Sequence, residues 1–227
     1  MSYLIEFRFQ GKAKKDIKEL IYKINKKFNF KQNKKIIPHV TLVGPFTIKE
    51  PRREWYLLRQ FNNLCNVFSI MEFKVKGFNV FKKNKVVHIN IVPSEELKKF
   101  RWRLSNSLKE VFNLNSYDYN KNFNFHSTLA IDTTSENLKK IQDYAIKNYN
   151  PNFNYYISRI TLIKEGRIFR EYDFFQKRCF RRKEALNKDL QKITFNLLKE
   201  YTKNKTQPKK ETLIQKLINY IKKMFNL

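Results

Sequence analysis

Two four-residue stretches constrain this chain more than anything else in it: His39-Val40-Thr41-Leu42 and His126-Ser127-Thr128-Leu129. Each sits in a short apolar run. Pro38 favours an extended backbone at His39 rather than a helix. Successive side chains of a strand point to opposite faces. As strands, each stretch therefore turns one imidazole and one threonine hydroxyl to the same side. The chain has only three histidines, and two of them share the pattern His-x-Thr-Leu. A single strand histidine is more often structural than chemical. The repeat, with Thr at +2 and Leu at +3 both times, argues against coincidence. Two such pairs on one groove supply an acid, a base and two hydroxyl donors, which suits proton transfer around a phosphodiester. His88, between Val87 and Ile89 and without a Thr at +2, reads as a structural strand residue that could also lie near the groove.

Taken in order, the chain alternates strand and helix patterns. Residues 3–9 alternate as a strand, and Gly11 breaks it. Residues 13–28 form a helix, with Ile17, Leu20, Ile21, Ile24 and Phe28 at three- and four-residue steps. A basic loop, 29–38, leads to a strand over 40–43 that Gly44-Pro45 stops. A helix follows from about 52 to 67, with Trp55, Leu58, Leu64 and Val67 as candidate core residues. Residues 68–81 read as a strand broken or bulged at Gly77, paired in a hairpin with 86–92. Ser94 caps a helix to about 112, with Glu95 and Glu96 in its first turn. After an Asn- and Tyr-rich loop come a strand over 125–131 and a helix to about 148, capped by Thr134 or Ser135. A strand over 155–163 and a closing strand over 168–175 end the series. Each histidine motif thus lies on a strand followed by a helix and a hairpin, which predicts two similar α+β lobes meeting at a groove.

Composition removes several classes of function. Four glycines in 227 residues leave no room for a Gly-rich phosphate loop. Cys65 and Cys179, the only cysteines, form neither a disulfide framework nor a metal motif. Two His and two Thr are a poor metal set without carboxylate or thiolate, so no metal and no cofactor is expected. No signal peptide or bilayer-spanning run is evident, and a soluble, cytoplasmic location is the expectation. The net charge of +28 favours polyanions, nucleic acid before anionic membrane, although it is spread along the chain. From residue 178 onward the sequence holds fourteen Lys or Arg against four Asp or Glu. It reads as a basic helix over 180–202, a linker containing Pro208, and an amphipathic helix over 212–225. That last helix reads as docked on the body or on another subunit, ahead of a membrane surface or a nucleic-acid arm. The boundaries follow: residues 1–177 as the main domain and 178–227 as a basic helical C-terminal extension.

The two motifs, about ninety residues apart in an α+β chain, resemble those of the 2H phosphoesterase superfamily. The similarity is greatest to its 2′-5′ RNA ligase-like (LigT-like) members. It rests on Pro38-His39-Val40-Thr41-Leu42-Val43-Gly44-Pro45-Phe46, on Phe125-His126-Ser127-Thr128-Leu129-Ala130, and on the hairpin from Ile160-Thr161-Leu162-Ile163-Lys164 to Tyr172-Asp173-Phe174. It covers about residues 1–176. The resemblance implies an α+β, bilobal LigT-like fold: two pseudo-symmetric antiparallel-sheet lobes with outer helices around a central cleft, here with a C-terminal helical extension. It also implies metal-independent hydrolysis of 2′,3′-cyclic or 2′-5′-linked phosphodiesters, with His39 as general acid and His126 as general base. From the residues alone either histidine can take either role. Thr41 and Thr128 are the candidate phosphate-binding hydroxyls. Relatives acting on RNA ends often carry Arg two residues after the second Leu, where this chain has Ile131. Lys31, Lys34 or Lys35 could replace that contact.

The expected activity is therefore a phosphoric diester hydrolase acting on 2′,3′-cyclic phosphate at RNA ends or on related nucleotides. One alternative is a non-catalytic RNA-binding protein on the same scaffold. Another is a phosphodiesterase for 2′-5′ oligonucleotides or small cyclic nucleotides. A polyanion contact through the basic extension stays open, and a membrane surface ranks behind it. Phe46, Tyr117, Tyr119 and Phe123 are candidates to stack on a base, with core packing or loop composition the safer reading of each.

Overall fold

The computed structural model describes residues 1–29, 37–131 and 134–206. Two antiparallel sheets carry the fold. The first has the order β2-β1-β7-β8-β9 and the second β5-β4-β3-β6. The strands are β1 (Ser2–Arg8), β2 (His39–Thr47), β3 (Met71–Phe81), β4 (Val86–Pro93), β5 (His126–Ala130), β6 (Asn152–Ile157), β7 (Arg159–Lys164), β8 (Arg167–Asp173) and β9 (Arg178–Arg181). The helices are α1 (Gly11–Lys27), α2 (Glu54–Val67), α3 (Glu95–Lys109), α4 (Ser135–Asn148), the single turn α5 (Arg182–Ala185) and α6 (Lys188–Thr206). The bilobal α+β arrangement expected from the sequence is the one observed.

The lobes exchange their hairpins. The β3–β4 hairpin follows the first motif in sequence, yet β4 pairs with β5, the strand of the second motif. The β7–β8 hairpin follows the second motif, yet β7 pairs with β1, the neighbour of β2. Both motif strands are left at sheet edges, where β2 and β5 lie against each other. Helices cross over as well: α1, which follows β1, packs against β5 and α4, while α3 touches β2, β3 and β4.

A shared core locks the lobes. Tyr3, Ile5 and Phe7 of β1 point inward and are essentially fully buried. Phe7 meets Phe73 of the second sheet with ring centroids 4.9 Å apart, and Phe9 meets Tyr155 at 5.0 Å. Aromatic pairs of this kind add about 0.5–1.5 kcal/mol beyond their buried area. The helices supply their predicted faces: Ile17, Leu20, Ile21 and Ile24 of α1 are buried, as are Leu97, Phe100, Leu104 and Leu108 of α3. Ser94 caps α3, its hydroxyl accepting the Leu97 N–H at 3.2 Å, and Thr134 caps α4 by accepting from Asn137 at 3.3 Å.

Several local expectations are corrected. Gly11 begins α1 rather than separating it from β1. Gly44-Pro45 does not end β2, which runs on to Thr47 through a bulge opposite β1. An edge strand tolerates the missing proline N–H, and Gly44 turns its own N–H to Asp118 instead, at 2.9 Å. The buried face of α2 is Leu57, Phe61 and Cys65; Trp55 and Val67 are exposed, and Leu58 and Leu64 only partly buried. The single strand expected over 155–163 is two, β6 and β7, divided at Ser158 and belonging to different sheets. The predicted bulge at Gly77 is present between Val75 and Phe78.

Beyond residue 177 the chain first adds a strand. Where a helix from residue 180 was expected, β9 pairs with β8 and α6 begins only at Lys188. Arg159, buried under α6, ties the two together. It donates to Asp173 at 2.7 Å, to Glu171 at 3.0 Å, to the Thr194 hydroxyl at 2.6 Å and to the Leu190 carbonyl at 3.0 Å. The expected helix over 212–225 and the Pro208 part of the linker lie outside the described residues. Among the described residues, no helix is long and apolar enough to cross a membrane.

Candidate active site

The alternation of β2 and β5 sets the site. On β2, Val40 and Leu42 are buried in the core while His39 and Thr41 are half-buried on the other face. On β5, Ser127 and Leu129 are buried while His126 and Thr128 are half-buried. All four expected residues thus stand on the non-core faces of two edge strands that lie against each other.

The two imidazoles are held in the same way. His39 Nδ1 lies 2.9 Å from the Ile37 carbonyl, and His126 Nδ1 lies 2.8 Å from the Asn124 carbonyl, each two residues upstream. A carbonyl oxygen only accepts, so Nδ1 carries the hydrogen in both rings. In the neutral rings Nε2 is then the basic nitrogen; in the charged rings it is the one with a proton to give.

Their surroundings differ. Across from β2, β1 pairs Glu6 with Thr41 and Arg8 with His39. The Glu6 carboxylate is 3.6 Å from His39 Nε2 and accepts from Arg8 Nε at 2.6 Å. Glu6 is only 3% exposed. It also pairs laterally with Thr161, whose hydroxyl donates to Glu171 at 2.8 Å, so a polar row runs from the first motif to the Arg159 cluster under α6.

Across from β5, β4 pairs Asn90 with His126 and His88 with Thr128. The His88 ring is 5.2 Å from that of His126 and stacks on Phe81 at 4.1 Å; Phe81 in turn meets His126 edge-on at 4.9 Å. Burial pushes the His126 pKa below the usual imidazole value. The hydrogen bond to Asn124 opposes that shift, and the nearby His39 charge adds to it. His88 is pushed down to about 4, chiefly by burial, against the Ile89 carbonyl and with the His126 charge. His88 Nε2 has no hydrogen-bond partner among the described residues. His88 is thus a buried residue of β4 that lies beside the second motif.

Arg101 holds the motifs in register. It is a buried residue of α3 that donates to the Leu42 carbonyl at 3.1 Å and to the Asn120 carbonyl at 2.7 Å. It also donates to the carbonyls of Tyr117 and Asp118, and its guanidinium lies over Phe123 at 3.9 Å. Leu42 is in the first motif, and residues 117–124 lead into the second. Burial lowers the Arg101 pKa to about 10, which leaves it charged at neutral pH, and burial raises that of Asp118.

The remaining candidates divide. Phe46 is core, 3% exposed and stacked near Tyr3 and Phe112. Phe123 is buried against Tyr117 and Phe125, while Tyr117 and Tyr119 are partly exposed. Ile131 is exposed just beyond β5. Lys31, Lys34 and Lys35 lie outside the described residues. Among the described residues, no group of three or more His, Cys, Asp or Glu is placed to hold a metal. Glu6, Phe81 and Arg101 escaped the sequence reading. The one available signal was Glu6 and Arg8, two charges on alternate positions of a strand whose other face is wholly apolar.

A model of the 2′-5′ RNA ligase superfamily matches residues 11–168. No curated protein matches the sequence. Among solved structures, TT0787 of Thermus thermophilus superposes with a TM-score of 0.54 at 12% identity, covering 77% of this chain and 98% of that one. Escherichia coli LigT complexed with 3′-AMP gives a TM-score of 0.48 at 17% identity over 79% and 97% of the two chains. Kluyveromyces marxianus Usb1 gives 0.46 at 9% identity over 74% and 95%.

Proposed function

The chain belongs to the 2′-5′ RNA ligase superfamily, a family of phosphoesterases, and from that premise we propose that it hydrolyses 2′,3′-cyclic phosphate at RNA ends or in related nucleotides without a metal. The observation that carries the reading is the matched anchoring of His39 and His126 through Nδ1, which reserves both Nε2 atoms for proton transfer.

In the proposed reaction His126 is the general base. Its burial keeps it neutral below the usual imidazole range, so Nε2 can take a proton from water. The water oxygen forms the new bond to phosphorus, and the bond from phosphorus to one ribose oxygen breaks. His39 is the general acid and gives its Nε2 proton to that leaving oxygen. Glu6, beside Nε2, pairs with the imidazolium before the transfer. Thr41 and Thr128 donate to the non-bridging oxygens as charge builds on them. Proton exchange with solvent restores both rings. Cys65 and Cys179, both free thiols, accord with a cytoplasmic setting for this reaction.

The test is incubation in EDTA with an oligoribonucleotide ending in 2′,3′-cyclic phosphate, the matching mononucleotide and a 2′-5′ linked oligoadenylate. Wild-type protein is expected to open the cyclic phosphate, and His39→Ala and His126→Ala each to lose about 10²–10⁴-fold in kcat. No turnover by wild type, or full turnover by either variant, overturns the proposal. RNA binding without turnover, retained when both histidines are gone, would favour a binding protein on the same scaffold.

A further inference from the structure

We propose that the β3–β4 turn, Lys82-Lys83-Asn84-Lys85, is a subsite for the backbone phosphates of a single-stranded polynucleotide whose end occupies the histidine site. The inference rests on the proposed function and adds a substrate class to it: a chain in preference to a mononucleotide.

The argument begins with register. Phe81 pairs with Val86 at the end of the hairpin, and the four turn residues between them are all exposed. Phe81 reaches diagonally across the sheet to place its ring 4.9 Å from that of His126. Lys82 is the next residue, one Cα step of about 3.8 Å away. A triple-lysine turn therefore begins one residue from a side chain in contact with the proposed base. On the neighbouring strand, β5 runs toward the same turn: His126 pairs with Asn90, Thr128 with His88 and Ala130 with Val87. The line from His126 past Thr128 leads to the turn.

Charge then selects a ligand. None of Lys82, Lys83 and Lys85 makes an ion pair among the described residues, in common with most lysines of the chain. The exposed Ile131 side chain, at the same end of β5, is apolar. A turn with three exposed ammonium groups matches several phosphates of a flexible strand. The aromatic neighbour Phe81 is already occupied by His88 and His126, so the contact is to backbone and independent of sequence.

The test measures binding and turnover separately. The variant is Lys82→Gln with Lys83→Gln and Lys85→Asn; asparagine suits the positive φ of 52° at Lys85. The control is Lys183→Gln with Lys188→Gln and Lys192→Gln, which removes the same charge from exposed positions in the C-terminal region. Binding of a fluorescent oligoribonucleotide ending in 3′-phosphate is followed by anisotropy across a salt series. The turn variant is expected to bind about tenfold or more weakly at low salt, with the slope of log affinity against log salt shallower by about 2, while the control keeps the wild-type slope. In turnover, the ratio of kcat/KM for the cyclic-phosphate oligonucleotide over the mononucleotide is expected to fall about tenfold in the turn variant only. An unchanged slope and affinity in the turn variant, or an equal loss in the control, overturns the subsite. Absence of turnover in wild type overturns the proposed reaction and leaves the binding result to decide the subsite.

Discussion

Glu6 holds a carboxylate oxygen 3.6 Å from Nε2 of His39, from a position only 3% exposed. Among the described residues no acid pairs with His126. The two motifs, alike in sequence and in the anchoring of their rings, are thus set in opposite electrostatic surroundings. A carboxylate beside one imidazole and an apolar, histidine-lined wall beside the other is an asymmetry that suits the proposed division into acid and base.

Removing that carboxylate is expected to cost activity. Glu6→Gln keeps size and hydrogen bonding but lowers kcat about tenfold, or ~1.4 kcal/mol of transition-state stabilisation. Glu6→Asp should recover part of it, and thermal melts should stay within a few degrees of wild type. Steady-state kinetics on the cyclic-phosphate substrate decides the matter; full activity in Glu6→Gln would remove Glu6 from the mechanism.

The pH profile should report the burial of His126. The proposed base must be deprotonated to act, and burial holds His126 below the usual 6.5. Activity is therefore expected to persist as pH falls below 6.5 and to decline only at more acid values. The acid limb of kcat/KM against pH checks this, and a limb at or above pH 6.5 would contradict it.

His88 should make the fold acid-sensitive. Its pKa is 6.5 unfolded and about 4 folded, so below 6.5 the unfolded chain takes up a proton that the folded protein refuses. Stability from this group is complete above pH 6.5 and is lost as pH falls toward 4. His88→Phe removes the titration and the unpartnered Nε2. Relative to wild type it should gain about 1–2 kcal/mol at pH 5, allowing for solvent screening, and less at pH 7. Urea unfolding at the two pH values measures the difference; because His126 titrates in the same sense, some slope should remain.

Arg101 should be costly to replace. Arg101→Met strands the carbonyls of Leu42, Tyr117, Asp118 and Asn120, at about 3 kcal/mol, or a melting point lower by roughly 10 °C. Arg101→Lys should recover little, because an ammonium cannot reproduce the planar fork. Faster proteolysis within residues 113–124 would locate the damage; unaltered cleavage there would show that the loop is held by something else.

Some of this was legible in the residues. The period-two pattern put His39 with Thr41 and His126 with Thr128 on one face of a strand, because side-chain direction along a strand is a local property. Ser94, and the pair Thr134 and Ser135 of which Thr134 is the cap, marked their helices for the same reason: a cap satisfies backbone groups within its own turn. The error in α2 is also local in origin. Trp55 and Val67 are as apolar as Leu57 and Phe61, so the helical period left its phase undetermined until α3 packed against it.

By itself the sequence determined the candidate residues for chemistry, their pairing within each strand, and the family in which such pairs occur. Only the tertiary structure decided that the hairpins change lobes, that Glu6 faces His39, that His88 and Phe81 wall His126, and that Arg101 spans the two motifs. Those neighbours depend on register between strands far apart in the chain. Register is set by the packing of both sheets on one core, where shifting a strand by one residue turns every side chain to the opposite face.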